Sequence, residues 1–272
     1  MTSKVFDSAG AAAYYDDASV ATFYRSCWGG ADIHIGHYPT GTETVGEASE
    51  GMTRLLLDRA GIGAGDRVLD ISCGFGGTLR VLARMGCEVQ GMDIAEHCVT
   101  TARDMNTAEG LGDRITVEVG DFHAIASPAE AWDAVVCQES VIHSPDRPKV
   151  FAEVFRVLRP GGTFAFSDIL TGENADTALV EAAFARLGAA VGATVQSYVD
   201  MARAAGFEVV LAEERQDDIR THYDKLAEAL ETPVDGLTAE GQAAIAASIG
   251  RWQAALAGGN ITWAAFVARK PG

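Results

Sequence analysis

The run Val68-Leu69-Asp70-Ile71-Ser72-Cys73-Gly74-Phe75-Gly76-Gly77 reads as an apolar strand that turns through glycines into a helix. Glycines at 74, 76 and 77 remove side chains where backbone must come close to a ligand. Asp70, at the strand end, can accept from a cationic or N–H-donating group, with Ser72 beside it in the turn. Asp93 follows at about the spacing at which a βαβ unit presents an acid to ribose hydroxyls. One strand later, Asp121 can accept from an adenine amino group while Ile94 and Phe122 sandwich the ring. Three acids thus converge on one nucleoside. The turn is not the dinucleotide fingerprint G-x-G-x-x-G, since from Gly74 it runs G-F-G-G-T-L, and Asp70 would repel a pyrophosphate. A dehydrogenase is disfavoured on this ground, and a ligand with a cationic or zwitterionic end fits better.

These residues must be held by alternating elements. RVLDI (67–71), EVQGMDI (88–94), ITVEVGD (115–121), WDAVVCQ (132–138) and GTFAFSDIL (162–170) read as strands. Helical stretches follow at TLRVLARMG and HCVTTARDMNTAEG, and PKVFAEVFRVLRPGG precedes the last of these strands. Such alternation predicts a parallel sheet with helices on both faces. Gly86 is expected to end one helix in a left-handed cap, and Pro160-Gly161-Gly162 to end another. Residues 1–45, rich in aromatics and histidine, are expected to form an N-terminal lid on a domain spanning 46–272. Ala-rich helical insertions are expected at about 172–206 and 217–258, with strands at 207–214 and 260–269.

S-adenosylmethionine, with its sulfonium and α-ammonium groups, has the cationic and zwitterionic end that this turn favours. DISCGFGG, GMDIA, GDFHAI and VFRVLRPGGTFAFSDIL resemble the motifs of class I S-adenosylmethionine-dependent methyltransferases, although Ser72 stands where that family usually carries the first glycine of the turn. The resemblance covers about residues 50–170. It implies an α/β, Rossmann-like sheet of seven mostly parallel strands, the last antiparallel.

A narrower resemblance runs nearly the full length. Tyr14-Tyr15-Asp16-Asp17, Phe23-Tyr24, the run from Trp28 to Tyr38, His143-Ser144-Pro145-Asp146, Arg215-Gln216-Asp217, His222-Tyr223 and Ile261-Thr262-Trp263 are similar to the sarcosine/dimethylglycine N-methyltransferases of glycine betaine synthesis. Related cap patterns occur in tocopherol and phosphoethanolamine methyltransferases. What the resemblance implies is methyl transfer to a small zwitterionic amine. The alternatives are another small amine such as phosphoethanolamine, a phenolic or prenylated acceptor, or a non-catalytic S-adenosylmethionine-binding protein.

Such a substrate needs aromatic faces for its N-methyl groups and a cation for its carboxylate. Tyr15, Tyr38, His222 and Tyr223 are the candidate substrate contacts, with Arg215 as the carboxylate clamp and Arg25 or Arg220 next in line. Tyr24 and Trp28 are placed with the cofactor, as is Gln138 at the end of the fourth strand. His143 is the candidate proton acceptor for the amine; it reads equally well as a residue that orders its loop. Asp168, at another strand end, either joins the site or caps the following loop.

The wider composition agrees with a small-molecule enzyme. Of 272 residues 48% are hydrophobic, enough for a sizeable core, and the 38 acids against 21 bases (net −17) argue against nucleic acid or an anionic membrane as partner. Only four of the bases are lysines, a bias that genome composition or a salt-rich cytoplasm explains. An osmolyte product would favour the halophile explanation. The five cysteines are scattered without CxxC pairs, so neither a disulfide framework nor a metal site is expected. With no signal-peptide pattern or apolar span, the protein is expected in the cytoplasm, as a monomer or homodimer.

Overall fold

The computed structural model describes residues 18–185 and 191–272. Helix α1 (Ala18–Cys27) leads through an irregular segment into α2 (Val45–Ala60). Thr44 caps α2 by accepting from the Glu47 amide, and the Glu47 carboxylate accepts from Thr44 N in return, so two otherwise orphaned donors are satisfied reciprocally. Strands and helices then alternate: β1 (Arg67–Asp70), α3 (Gly77–Met85), β2 (Glu88–Asp93), α4 (Glu96–Ala108), β3 (Ile115–Val119) and β4 (Trp132–Gln138). A single 3-10 turn, Val141–His143, precedes α5 (Arg147–Val157) and β5 (Leu158–Thr171). The chain closes with α6 (Thr177–Phe184), α7 (Val195–Ala204), β6 (Glu208–Glu214), α8 (Gln216–Ala229), α9 (Ala239–Ala257) and β7 (Ile261–Arg269).

All seven strands form one sheet in the order β3-β2-β1-β4-β5-β7-β6. β1 to β5 pair in parallel, whereas β7 runs antiparallel to both β5 and β6. This is the class I methyltransferase sheet expected above. Because side chains alternate across a strand, each inner strand supplies two cores. Val68, Val136 and Ala165 pack with α2, α3 and α4 in one cluster that also takes in α1, α8 and α9. Their neighbours Leu69, Val135 and Phe164 pack with α5 and α7 in the other. The strand order reverses between β1 and β4, so the connections after these strands leave to opposite sides and open a crevice at their carboxyl ends.

One boundary differs from expectation. The helix through PKVFAEVFRVLRPGG stops at Val157, and Leu158 is already extended (φ −74°, ψ 137°) and enters β5. The residue before a proline is driven out of the helical region, so Arg159 cannot continue the helix into Pro160. Gly161 (φ 78°) instead lets β5 step out of register with β4, and its amide donates to Lys270 O at 2.9 Å. Gly86, by contrast, closes α3 in the left-handed region (φ 93°) with its amide on Ala83 and Leu82 carbonyls. Gly86→Ala is therefore expected to cost about 1–2 kcal/mol and to lower the urea midpoint without changing the slope, as followed by circular dichroism.

Candidate active site

The turn after β1 is held by its neighbours' backbones. Ile71 N donates to Val136 O at 3.1 Å and Cys73 N to Met92 O at 3.0 Å, so the turn hangs on the ends of β4 and β2. Ser72 N donates to Asp70 Oδ1 at 3.1 Å. Asp93 closes the arrangement, accepting from Gly74 N and Ala95 N, each at 2.9 Å. Gly74 sits at φ 50°, and a Cβ there would lie 3.1 Å from Ile33 Cδ1. Close approach of the segment Asp32–Ile35 over the turn is thus one reason position 74 is glycine. At Gly77 a side chain would collide with the Asp32 carboxylate, which lies over the start of α3.

Segment 28–38 is a strap laid across the sheet's carboxyl edge. Trp28 Nε1 and Ser49 Oγ donate to His34 O at 2.8 and 3.2 Å, and Ile35 N donates to Glu139 Oε2 at 2.7 Å. Glu139 adopts φ 49°, a conformation strained for any residue with a Cβ. Three donors hold it there: Ile35 N, Ser167 Oγ at 2.6 Å and Trp263 Nε1 at 2.8 Å. His34 lies 3.4 Å from Asp32 and is buried. Burial alone would pull this imidazole down, but the charge of Asp32, its hydrogen bond and the charge of Glu139 outweigh it and push the pKa up to about 9. His34 is a buried cation.

A cleft of about 870 Å³, counting the space where it opens to solvent, lies between strap and turn. Of the residues expected at a cofactor or substrate, the structure brings together Asp70, Ser72, Gly74, Asp93, Ile94, Asp121, Phe122, Gln138 and His143 on its wall. The strap adds Asp32, Ile33 and His34, and Thr78, His123, Glu139 and Ser140 also line it. The run from Trp28 to Tyr38 carries no local signal that assigns Asp32 and His34 to the site, because nothing in it says that residues 32–35 fold back over residue 74. Glu139 carried a signal only through its neighbour Gln138.

The electrostatics are uneven. Asp70 is pushed up to about 7, chiefly by burial and then by the nearby Asp93 and Asp32, against the Ser72 amide, which favours the anion. His143 is pulled down to about 4 by burial and by Arg147, so it is neutral near pH 7. Gln138 Nε2 donates to Thr78 Oγ1 at 2.9 Å and Thr53 Oγ1 at 3.3 Å, which fixes the amide and leaves Oε1 buried without a partner. Gln138 lines the cavity, and a buried acceptor without a partner calls for a donor.

The structure does not bring the other expected residues to this wall. Gly76 is the cap of α3, tight against Ala102 and Arg80. Tyr24 and Trp28 belong to a buried aromatic cluster, with Trp28 5.0 Å from Tyr24 and 4.6 Å from His222 between ring centroids, and Tyr223 stacked on Trp252. Tyr38 Oη donates to His222 Nδ1 at 2.9 Å, and burial pulls His222 down to about 3. Arg215 is committed elsewhere: it meets Glu213 at 2.6 Å, Asp218 at 2.7 Å and His37 Nδ1 at 2.7 Å, so it does not clamp a ligand in the cavity. Asp168 is fully buried, accepts from Tyr198 Oη at 2.7 Å and lies off the wall. Tyr15 lies outside the described residues. Among the described residues no cluster is placed to hold a metal ion, and no helix is long and apolar enough to cross a membrane.

A family described as a methyltransferase domain matches residues 69–166. The chain is 34% identical over 229 residues to a sarcosine/dimethylglycine N-methyltransferase of Aphanothece halophytica, covering 84% of this chain and 83% of that one. It is 31% identical over 271 residues to a dimethylglycine N-methyltransferase of Parasynechococcus marenigrum (strain WH8102), covering 96% of each. The chain belongs to the class I S-adenosylmethionine-dependent methyltransferases. A crystal structure assigned to a sarcosine dimethylglycine methyltransferase from Galdieria sulphuraria matches this methyltransferase with a TM-score of 0.86 at 28% identity, covering 94% of this chain and 99% of that one. The cavity fits the methyltransferase cofactor: carboxylates on its wall, beside a Gln138 amide whose oxygen has no protein partner, suit a ligand that carries a sulfonium and an ammonium.

Asp70 makes that fit measurable. A cation beside it favours the carboxylate, so at pH 6, below its raised pKa, S-adenosylmethionine binding to the methyltransferase is expected to release up to about one proton. At pH 8, where Asp70 is already ionised, the release should be near zero. Calorimetry in buffers of different ionisation heat reads this directly, and a release that does not change with pH would remove Asp70 from the cofactor.

Proposed function

We propose that the methyltransferase N-methylates sarcosine and dimethylglycine toward glycine betaine. What supports this reading is the relation to N-methylating enzymes over nearly the whole chain, together with a neutral histidine on the wall of an acidic cavity. In it Asp93 holds the ribose hydroxyls, Asp121 accepts from the adenine amino group between Ile94 and Phe122, and Asp70 and Gln138 Oε1 take the ammonium end. S-adenosylmethionine supplies an electrophilic methyl group on sulfur, which the amine nitrogen displaces in line. The chain's own work is to align that nitrogen, exclude water and remove the ammonium proton.

With a pKa of about 4, His143 is neutral and only a weak base; it accepts a hydrogen bond from the amine N–H, directly or through a water, and the ammonium proton leaves to solvent by that route rather than resting on the imidazole. Its own titration lies below the working range. The pH profile of kcat/KM should therefore rise with a single limb belonging to the substrate amine, and show none near 6.5. His143→Ala should lower kcat by on the order of a hundredfold. An extra limb near 6.5 that disappears in His143→Gln would contradict a neutral acceptor.

The substrate assignment is tested by comparing methyl transfer to sarcosine and dimethylglycine with transfer to phosphoethanolamine; no activity on any N-methylglycine would overturn it. Because Arg215 is paired, Arg215→Ala should leave KM for dimethylglycine unchanged while lowering stability. Five cysteines, all free and buried, suit a reducing cytoplasm. The acidic, lysine-poor composition suits a salt-stressed one, and activity that collapses at high salt would count against that setting.

A further inference from the structure

His123 and Ser144, which have no place in the reading above, join Asp121 in a directed hydrogen-bond chain beside the cavity. His123 Nδ1 lies 2.7 Å from Asp121 Oδ1, and its other ring nitrogen, Nε2, lies 2.7 Å from Ser144 Oγ. Ser144 Oγ in turn accepts from Asp146 N at 3.1 Å. One proton assignment satisfies every member. Asp146 N donates to Ser144, whose hydroxyl is thereby left to donate to His123 Nε2, and His123 Nδ1–H donates to the carboxylate. Asp121 Oδ1 also takes the His123 amide at 2.8 Å, so these bonds fall on one oxygen and the other is left for a donor in the cavity.

The placement gives the chain a purpose. Asp121 follows β3 and Ser144 follows β4, and these strands are separated in the sheet by β2 and β1, roughly 14 Å at ordinary strand spacing. The bond between His123 and Ser144 therefore closes over the ends of β2 and β1, where Asp93 and Asp70 stand. It ties the loop carrying Phe122 to the 3-10 turn that ends in His143, the residue next to Ser144. Ser144 is 2% exposed and off the cavity wall, so the Asp-His-Ser set offers no nucleophile to a substrate.

We propose that Asp121, His123 and Ser144 are positioning residues that couple occupation of the adenine end of the cavity to the placement of His143 at the methyl acceptor. This rests on the cofactor and His143 assignments made above. A donor on the free oxygen of Asp121, which is 41% exposed, fixes the carboxylate, and the carboxylate fixes the ring that holds Ser144 and the turn. Such coupling is reciprocal, so disturbing the turn must weaken the cofactor.

The test uses Ser144→Ala, His123→Ala, their double variant and Ser144→Thr, with S-adenosylhomocysteine affinity by calorimetry and kcat with dimethylglycine at saturating S-adenosylmethionine. Ser144→Ala, although off the wall, is expected to weaken S-adenosylhomocysteine about fivefold and to lower kcat about tenfold with little change in KM for the acceptor. Ser144→Thr should restore both, and the double variant should be no worse than His123→Ala alone. Nitrogen NMR of the wild-type protein should find His123 protonated at Nδ1, a signature that Ser144→Ala weakens whatever the acceptor is. Wild-type affinity and kcat in Ser144→Ala, or additive losses in the double variant, would overturn the coupling while leaving the cofactor assignment intact. Failure of the wild-type protein to bind S-adenosylhomocysteine would overturn both.

Discussion

Asp32, Asp70, Asp93 and Glu139 are all buried at one end of one sheet, and a buried charge is costly unless donors or counter-charges meet it. The donors are mostly backbone: Ser72 N on Asp70, Gly74 N and Ala95 N on Asp93, Ile35 N on Glu139. The counter-charge is His34, between Asp32 and Glu139. Asp93 and Glu139 therefore each tie down a piece of chain from another part of the sequence, while Asp70 holds its own turn, and the glycine turn, the strap and the end of β4 become one unit. The negative potential left over is what a sulfonium and an ammonium would find on entering.

The strap follows from that constraint. Its path over Gly74 is set by Glu139 accepting from Ile35 N and by Asp32 sitting at the start of α3, while Trp28 and His222 fill the space behind it. The aromatic residues of the N-terminal segment thus divide into roles that their spacing does not separate. Trp28, Tyr24 and Tyr38 pack or cap the strap, and the wall they support carries polar groups. Arg215 shows the same division from the other side, since a guanidinium between Glu213 and Asp218 is neutralised where it stands and ties the start of α8 to His37. The glycine betaine reading consequently needs another group for the substrate carboxylate.

The alternation of apolar strands and amphipathic helices was legible because burial on two faces imposes it residue by residue, and the turn from Asp70 to Gly77 was legible because backbone strain and close approach select glycine locally. The end of α5 was misplaced because two signals competed at Pro160-Gly161-Gly162, and the helix-breaking effect on Arg159 acted before the glycines could serve as a cap. Among the expected site residues, those standing at strand ends (Asp70, Asp93, Gln138) reach the cavity wall, since position in a βα unit determines where such a residue points.

From the sequence alone came the sheet, the cofactor chemistry and the strand-end acids, all of which depend on contacts within one βα unit or its neighbour. Only the tertiary structure decided that Asp32 and His34 face the cavity, that Glu139 is strained and shared by three elements, that His123 reaches Ser144 across two strands, and that Arg215 is occupied. Each of those is a pairing between distant segments. Its energy depends on burial and on a counter-charge, and neither quantity exists until the chain has folded.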